Sequence, residues 1–421
     1  MLPNSKNSIS KMINSFKNFR LLYCRLFMVI GAMGLFSTTY CHGQVDATKR
    51  EAPEATSSEA NVPFGEIPEL QRAFIEPSPS IREDGIPVGT LGVDGGDKEM
   101  ILALAQEIAE GKHSHFDALL IAQSGKLLFE SYYSRGRINL PHPQASATKA
   151  YTSLALGRAM QLGYLTMDDL DKPLIHFLKD LDTSKLAEGA ETITLHKALT
   201  MRSGIGLTRE ELELFRKEPE SVKGQRQVQV YLENSQPISE ASQQFNYKFD
   251  PMLVMQVIEA IVPGTAEDFI KRELLDKMGI HNYEWPKDIS GLPRAGSRTS
   301  MTARDMVKWG LLVANNGEWN GEPLIPGAYI QKAVHRIVDE SNDENFLDRG
   351  KVSNIGYGYL WWQADLESGG KMYFSTSAQG GSGQMIILID SLDLMVITTV
   401  HRLEISVLQL VAERILPAFI N

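Results

Sequence analysis

Ser146 and Lys149, in the tetrad Ser146-Ala147-Thr148-Lys149, place a hydroxyl and an amine three residues apart. The residues that follow read as a helix: Leu154, Leu156, Ala159, Met160 and Leu162 recur at helical spacing, and no proline intervenes before Pro173. Positions three apart on a helix share a face. A hydroxyl in the first turn also sits at the positive end of the helix dipole, which favours an oxyanion forming there. This is the layout of a serine nucleophile whose base is a lysine. The pattern Ser-x-x-Lys recurs at Ser8, Ser146 and Ser368, however, and motifs this short match by chance. Ser8 lies in a basic leader and Ser368 in a Glu-Ser-Gly-Gly turn, so only Ser146 opens an amphipathic helix. A serine there also suits a helix cap, and the tetrad alone leaves both readings open.

The flanking sequence supplies elements that could position such a pair. Asp97 to Gly111 is an amphipathic helix with Met100, Leu102, Leu104, Ala105 and Ile108 expected on its buried side. Two strands follow, DALLIAQ and KLLFESYY, joined by the turn residues Ser124-Gly125. From Ser146 to about Pro326 the pattern is mostly helical, with Thr302 and Asp305 suited to a helix cap. Within it, Leu207 to Gln244 is polar and charged, with two short helices expected in an excursion over the surface, as in the lid of an active site. Strands return as YGYLWWQ, KMYFSTS, GQMIILID and LMVITTV, and an amphipathic helix from Leu403 to about Ile415 closes the chain. Helix, hairpin, helices and strands in this order give an α+β layout.

Composition narrows the class of partner. The 421 residues are 43% hydrophobic and carry a formal net charge of −10. All five charged residues of the first 43 are basic, which leaves the remainder with 37 basic against 52 acidic residues and argues against nucleic acid or anionic membrane surfaces. Residues 1–43 have the layout of a secretory signal: a basic region, the apolar run Leu26 to Phe36, then small and polar residues. Cleavage near Gly43 would remove Cys24 and Cys41, the only cysteines, and leave a chain that folds in an oxidising compartment without mispairing. The protein is therefore expected to be secreted or periplasmic. Lipid anchoring at Cys41 is the weaker expectation, because Thr38 stands where a leucine is wanted. Residues 44–96 read as a flexible linker to about Pro63, followed by an extended arm. His142, His196 and His281 are scattered singly and are expected as surface or capping residues; no metal-ligand cluster, phosphate-binding glycine loop or Gly-x-Ser-x-Gly elbow is present, and no cofactor is implied.

Several segments together resemble one family. HPQASATKAYTSLALGRAMQLGYLTMDDLDKPL, ITLHKALTMRSGI, FNYKFDPMLVMQVIEAI, SMTARDMVKWGLLVANNGEWNGEPLIP, YGYLWW and GGSGQMIILIDSLDLMVITT occur in the order seen in serine hydrolases related to class C β-lactamases. That broad family includes esterases, amide hydrolases such as 6-aminohexanoate-dimer hydrolase, and D-amino-acid peptidases. The resemblance covers residues 97–421. It implies a β-lactamase/transpeptidase-like fold: an antiparallel sheet (97–145 with 327–421) flanked by N- and C-terminal helices, an inserted helical domain (146–326), and a site between the two.

The resemblance also implies roles. Ser146 matches the nucleophile and Lys149 the lysine beside it, which must be neutral to act as a base. Tyr247, in FNYKFD, matches the tyrosine that relays a proton with the lysine. The third motif falls on Ala378-Gln379-Gly380 at an edge strand, with Gln379 and Gly380 against the substrate, and the N–H groups of Ser146 and Gly381 would form the oxyanion hole. Two departures stand out. Phe249 occupies the place where many relatives have asparagine, and Ala378 stands where β-lactamases and transpeptidases carry the cation that pairs with a substrate carboxylate. The expected activity is cleavage of a small-molecule ester or amide through an acyl-serine. The alternatives are a catalytically silent binding module for cell-wall fragments or protein, and a true β-lactamase or D-amino-acid peptidase.

Overall fold

Eight antiparallel strands make the main sheet: β1 (Phe74–Glu76), β2 (His115–Gln123), β3 (Lys126–Tyr132), β4 (Val352–Tyr357), β5 (Trp362–Ser368), β6 (Lys371–Gln379), β7 (Met385–Ile389) and β8 (Leu394–Arg402). The computed structural model that contains them describes residues 51–339 and 348–420. The expected leader, its two cysteines and residues 44–50 lie outside the described residues. The strand order is β1-β3-β2-β8-β7-β6-β5-β4, so the two ends of the chain meet at the β2–β8 pair. Ser124 and Gly125 both take positive φ (49° and 75°), the conformation a tight hairpin between β2 and β3 requires.

The sheet is buried on both faces, which explains why Ala118 to Ala122 within DALLIAQ are apolar throughout instead of alternating. Ala118, Leu120 and Ala122 of β2 join a core shared with the inserted helices. Leu119 and Ile121 face the other way, into a core with the first and last helices.

Helix α1 (Lys98–Ala109) starts at Asp97, whose carboxylate accepts the Met100 N–H. Its buried side is Ile101, Leu104, Ala105 and Ile108. Met100, expected inside, is exposed at 39%: the 101-104-105-108 series is the true helical stripe, and Met100 lies a third of a turn off it. Helix α2 (Thr148–Gln161) is buried on nearly every side, and Gly157 is what admits Ile325 and Tyr329, since a Cβ there would lie 2.6 Å from Ile325. Helices α3 (Arg209–Lys217) and α4 (Arg226–Glu233) are the two short helices expected between Leu207 and Gln244. That segment is more than a surface excursion, because Phe215, Val222, Val228, Tyr231 and Leu232 are buried in the core. Helix α5 (Asp250–Ile261) packs on α2. Helix α6 (Ala303–Ala314), capped by Thr302, lies on β2, β7 and β8, with Gly310 against Met395 and Ile386. The chain ends with α7 (Val407–Leu410), continued by a π turn (Val411–Ile415) beside α1; Leu403 and Ile405, expected in this helix, precede it and are exposed.

Three local expectations change. YGYLWWQ is a corner between β4 and β5 instead of one strand, with Leu360 in the left-handed region (φ 64°). Strand β6 is not an edge, since β5 and β4 continue the sheet beyond it; its pairing with β5 ends at Ser377, however, so Gln379 and the residues after it project past their neighbour. Residues 53–59 are tied down where a flexible linker was expected, and Pro68 of the following arm is held with them. The buried Arg137 side chain donates to Glu59 (3.0 Å) and to the Pro68 carbonyl (2.9 Å), and the Ile138 N–H donates to the Pro53 carbonyl (2.9 Å). A buried guanidinium demands such partners, and the arm supplies them. Among the described residues no helix is long and apolar enough to cross a membrane.

Candidate active site

The chain reaches Ser146 through a short pairing, His142–Pro143 with Ser300–Met301, and a 3-10 turn, Ala145–Ala147, that runs directly into α2. Ser146 thus lies in the turn just ahead of the helix instead of inside it, still at its N-terminal end. Ala145 adopts φ 45°, an uncommon conformation for a residue with a Cβ, and such backbone strain persists only where neighbours over-determine it. Gln144 does so: fully buried, it donates its N–H to the Thr299 carbonyl (2.7 Å) and its amide to the His142 carbonyl (2.9 Å), and it accepts from the Tyr151 hydroxyl (3.0 Å). From the other side, the Thr148 hydroxyl donates to the Ala145 carbonyl at 2.7 Å.

Lys149 Nζ is 3.0 Å from Ser146 Oγ and donates to the Gly296 carbonyl at 2.8 Å. The lysine is 5% exposed, and burial pulls its pKa down to about 8. Among the described residues no carboxylate pairs with it. Its other neighbour is the face of Tyr247, whose centroid is 4.5 Å from Nζ. Burial raises the Tyr247 pKa, while hydrogen bonds to Trp362 and Ser146 oppose that rise. Ser146, Lys149 and Tyr247 are therefore brought together, as the tetrad and FNYKFD suggested, from α2 and from the segment that enters α5. Asp250 anchors that segment: three residues after Tyr247 and buried, it accepts the Ser203 N–H and hydroxyl, both at 2.8 Å, and burial raises its pKa to about 7.

The Gly380–Gly383 turn faces this group from β6. A Cβ on Gly380 would lie 2.4 Å from the Gln144 carbonyl, so glycine is what lets the end of β6 approach the turn that carries Ser146. The Gly380 N–H is taken by the Gln384 carbonyl (2.7 Å); Gly381 follows, exposed and with open space around its Cα. Gln379 donates to Ser377 Oγ at 2.8 Å. Ala378 is buried in the core shared with Ala147, against which Tyr247 and Trp362 also pack.

Some participants were not visible beforehand. Trp362 is half-buried and lies 5.2 Å from the Tyr247 ring, and with Phe245 and Tyr357 it makes one aromatic cluster. Gly296 supplies the lysine with an acceptor. Phe249, at the usual asparagine position, packs edge-on against Tyr231 (5.4 Å) and makes no polar contact. His142, expected at the surface or in a cap, is buried against Asp117. His196 meets the Tyr359 hydroxyl (2.7 Å), and His281 is exposed.

Comparison with known proteins bears on the fold and the family. The sequence pattern of the Beta-lactamase family matches residues 103–415. No curated protein matches the chain. Among solved structures, an octameric penicillin-binding protein homologue from Pyrococcus abyssi is 18% identical (TM-score 0.52), with 72% of this chain and 73% of that one covered. EstCE1, a hydrolase with promiscuous acyltransferase activity, is 14% identical (TM-score 0.54; 72% and 94% covered). A class C β-lactamase is 16% identical (TM-score 0.53; 77% and 96% covered). At such identities the likeness is one of fold. Together with the family match over most of its length, it establishes that this chain is a serine hydrolase belonging to the β-lactamase family.

Proposed function

We propose that the protein is a secreted or periplasmic esterase or amidase that works through an acyl-enzyme on Ser146. The observation that carries this reading is the 3.0 Å approach of Ser146 Oγ to a buried lysine amine that pairs with no carboxylate among the described residues and whose pKa is lowered to about 8. A substantial fraction of that amine is neutral near pH 8, as a general base requires. Ser146 Oγ attacks the substrate carbonyl while Lys149 takes its proton. The oxyanion is received by the N–H groups of Ser146 and Gly381, and the proton passes through Tyr247 to the departing alcohol or amine as its bond to carbon breaks. Water then attacks the acyl-serine, and the acid leaves with the serine hydroxyl restored.

Substrate choice follows from what surrounds these groups. Ala378 is buried and offers no cation for a substrate carboxylate, which speaks against β-lactams and D-amino-acid peptides. The partly open rings of Tyr247 and Trp362, backed by buried Phe245 and Tyr357, favour an apolar or aromatic acyl group. The test is a screen of p-nitrophenyl acyl esters, anilides and a fluorescent penicillin on the wild type and on Ser146→Ala. Ester or anilide turnover that falls by at least about 10⁴-fold in Ser146→Ala supports the proposal. Turnover unchanged in the variant removes Ser146 as nucleophile; no reaction with any acyl probe favours a binding module; covalent capture of penicillin favours a penicillin-interactive enzyme.

A further inference from the structure

Asp117, on β2, is completely buried yet outside the group formed by Ser146, Lys149 and Tyr247. One of its oxygens accepts from His142 Nε2 (3.0 Å), and His401 Nδ1 lies 2.9 and 3.0 Å from the two oxygens. The Arg135 N–H donates to it as well (3.0 Å). Burial pushes the carboxyl pKa up, but the two imidazoles hold it below its ordinary value. Each histidine belongs to a segment that leads to one half of the expected oxyanion hole. His142 lies four residues before Ser146; its other ring nitrogen is 2.9 Å from the Pro143 carbonyl, so both nitrogens face acceptors, and the Phe64 ring of the N-terminal arm covers it at 4.3 Å. His401 follows Val400 on β8. The Val400 carbonyl accepts from Gln384 Nε2 (2.7 Å), and Gln384 in turn accepts from the Gly380 N–H (2.7 Å) and the Ser382 N–H (3.3 Å) through its backbone and side-chain oxygens. Val400 also packs against Gly383. One carboxylate therefore links the segment that leads into Ser146 with the strand whose Val400 holds Gln384 against the residues flanking Gly381.

We propose that Asp117 is a positioning residue for acyl transfer: through His142 and His401 it fixes the spacing of the Ser146 and Gly381 N–H groups. This rests on the acyl-serine reading above. Two backbone donors act on an oxyanion only when both stand at the right distance, and misplacement by about 1 Å can cost on the order of 10²-fold in rate. Asparagine at 117 keeps the shape but has a single acceptor oxygen, which cannot serve both imidazoles and the Arg135 N–H.

The experiment compares wild type, Asp117→Asn and His401→Gln, the last at a partly exposed position, which spares folding. For each, kcat and KM are measured on a reactive p-nitrophenyl ester, with thermal midpoint and the affinity of a boronic acid that forms a tetrahedral adduct on the nucleophile. In Asp117→Asn, kcat is expected to fall about 10²-fold and boronic acid affinity in parallel, with KM within about threefold of wild type. His401→Gln is expected to fall about tenfold in both, with its thermal midpoint within a few degrees of wild type. A wild type that fails to acylate at all would defeat the acyl-serine reading itself. Wild-type acylation with kcat and boronic acid affinity unchanged in the folded variants would overturn the role of Asp117 alone, as would an effect confined to KM. If Asp117→Asn does not fold, His401→Gln decides by the same criteria.

Discussion

Two lysines in this protein are equally hidden and differently used. Lys149 on α2 and Lys308 on α6 are 5% and 3% exposed. Each donates to a glycine carbonyl at 2.8 Å, Gly296 for the first and Gly279 for the second. Each also meets the side chain three residues before it at 3.0 Å. The difference is the chemistry of that side chain. Lys308 meets the Asp305 carboxylate, which holds the ammonium charge in place. Lys149 meets the Ser146 hydroxyl, which does not compensate a charge, and its pKa drops to about 8. A buried amine without a carboxylate is costly to keep, and that cost leaves it able to accept a proton.

Exchanging either lysine for methionine breaks the comparison from opposite sides. Lys149→Met is expected to lower kcat by on the order of 10³-fold, because the base is lost, while raising the urea midpoint at neutral pH. The charged form of Lys149 is disfavoured in the fold by about 3 kcal/mol, an upper bound on that gain since the Gly296 carbonyl loses its donor. Lys308→Met is expected to do the reverse: it leaves Asp305 buried and unpaired, costs about 3 kcal/mol by denaturant unfolding, and leaves the kcat of the folded fraction unchanged. If both variants lose stability alike and keep activity alike, the distinction between the two sites fails.

The part of the site that could be read from sequence was the part contained in one helical turn. Ser146 and Lys149 are three residues apart, so spacing alone predicted their contact. Tyr247 and Gly381 came from resemblance, since nothing local links FNYKFD or GGSGQ to residue 146. Gly296 and Trp362 stayed hidden because each reaches the site by tertiary packing from a distant segment, and the pairing of Asp117 with His401 because 284 residues separate them. For the fold, the Ser124-Gly125 hairpin, the first helix from about Asp97, the Thr302 cap and the two helices after Leu207 were legible from local chemistry. Met100 was misplaced because two adjacent apolar residues compete for one stripe. The YGYLWWQ corner was misread because its run of large apolar residues resembles a strand, whereas the left-handed Leu360 turns the chain and the Gly358 N–H closes the turn on the Trp361 carbonyl.

Activation of Ser146 by Lys149 is read out by the pH dependence of covalent labelling. A fluorophosphonate would be reacted with the wild type from pH 6 to 10 and the labelled peptide identified by mass spectrometry. With the folded pKa of Lys149 near 8, the protonated amine dominates below that pH and the neutral base above it. The account predicts a single adduct on Ser146, with a labelling rate that rises about tenfold per pH unit below 8 and levels off above it. An adduct on another residue, or a rate independent of pH across this range, would contradict it.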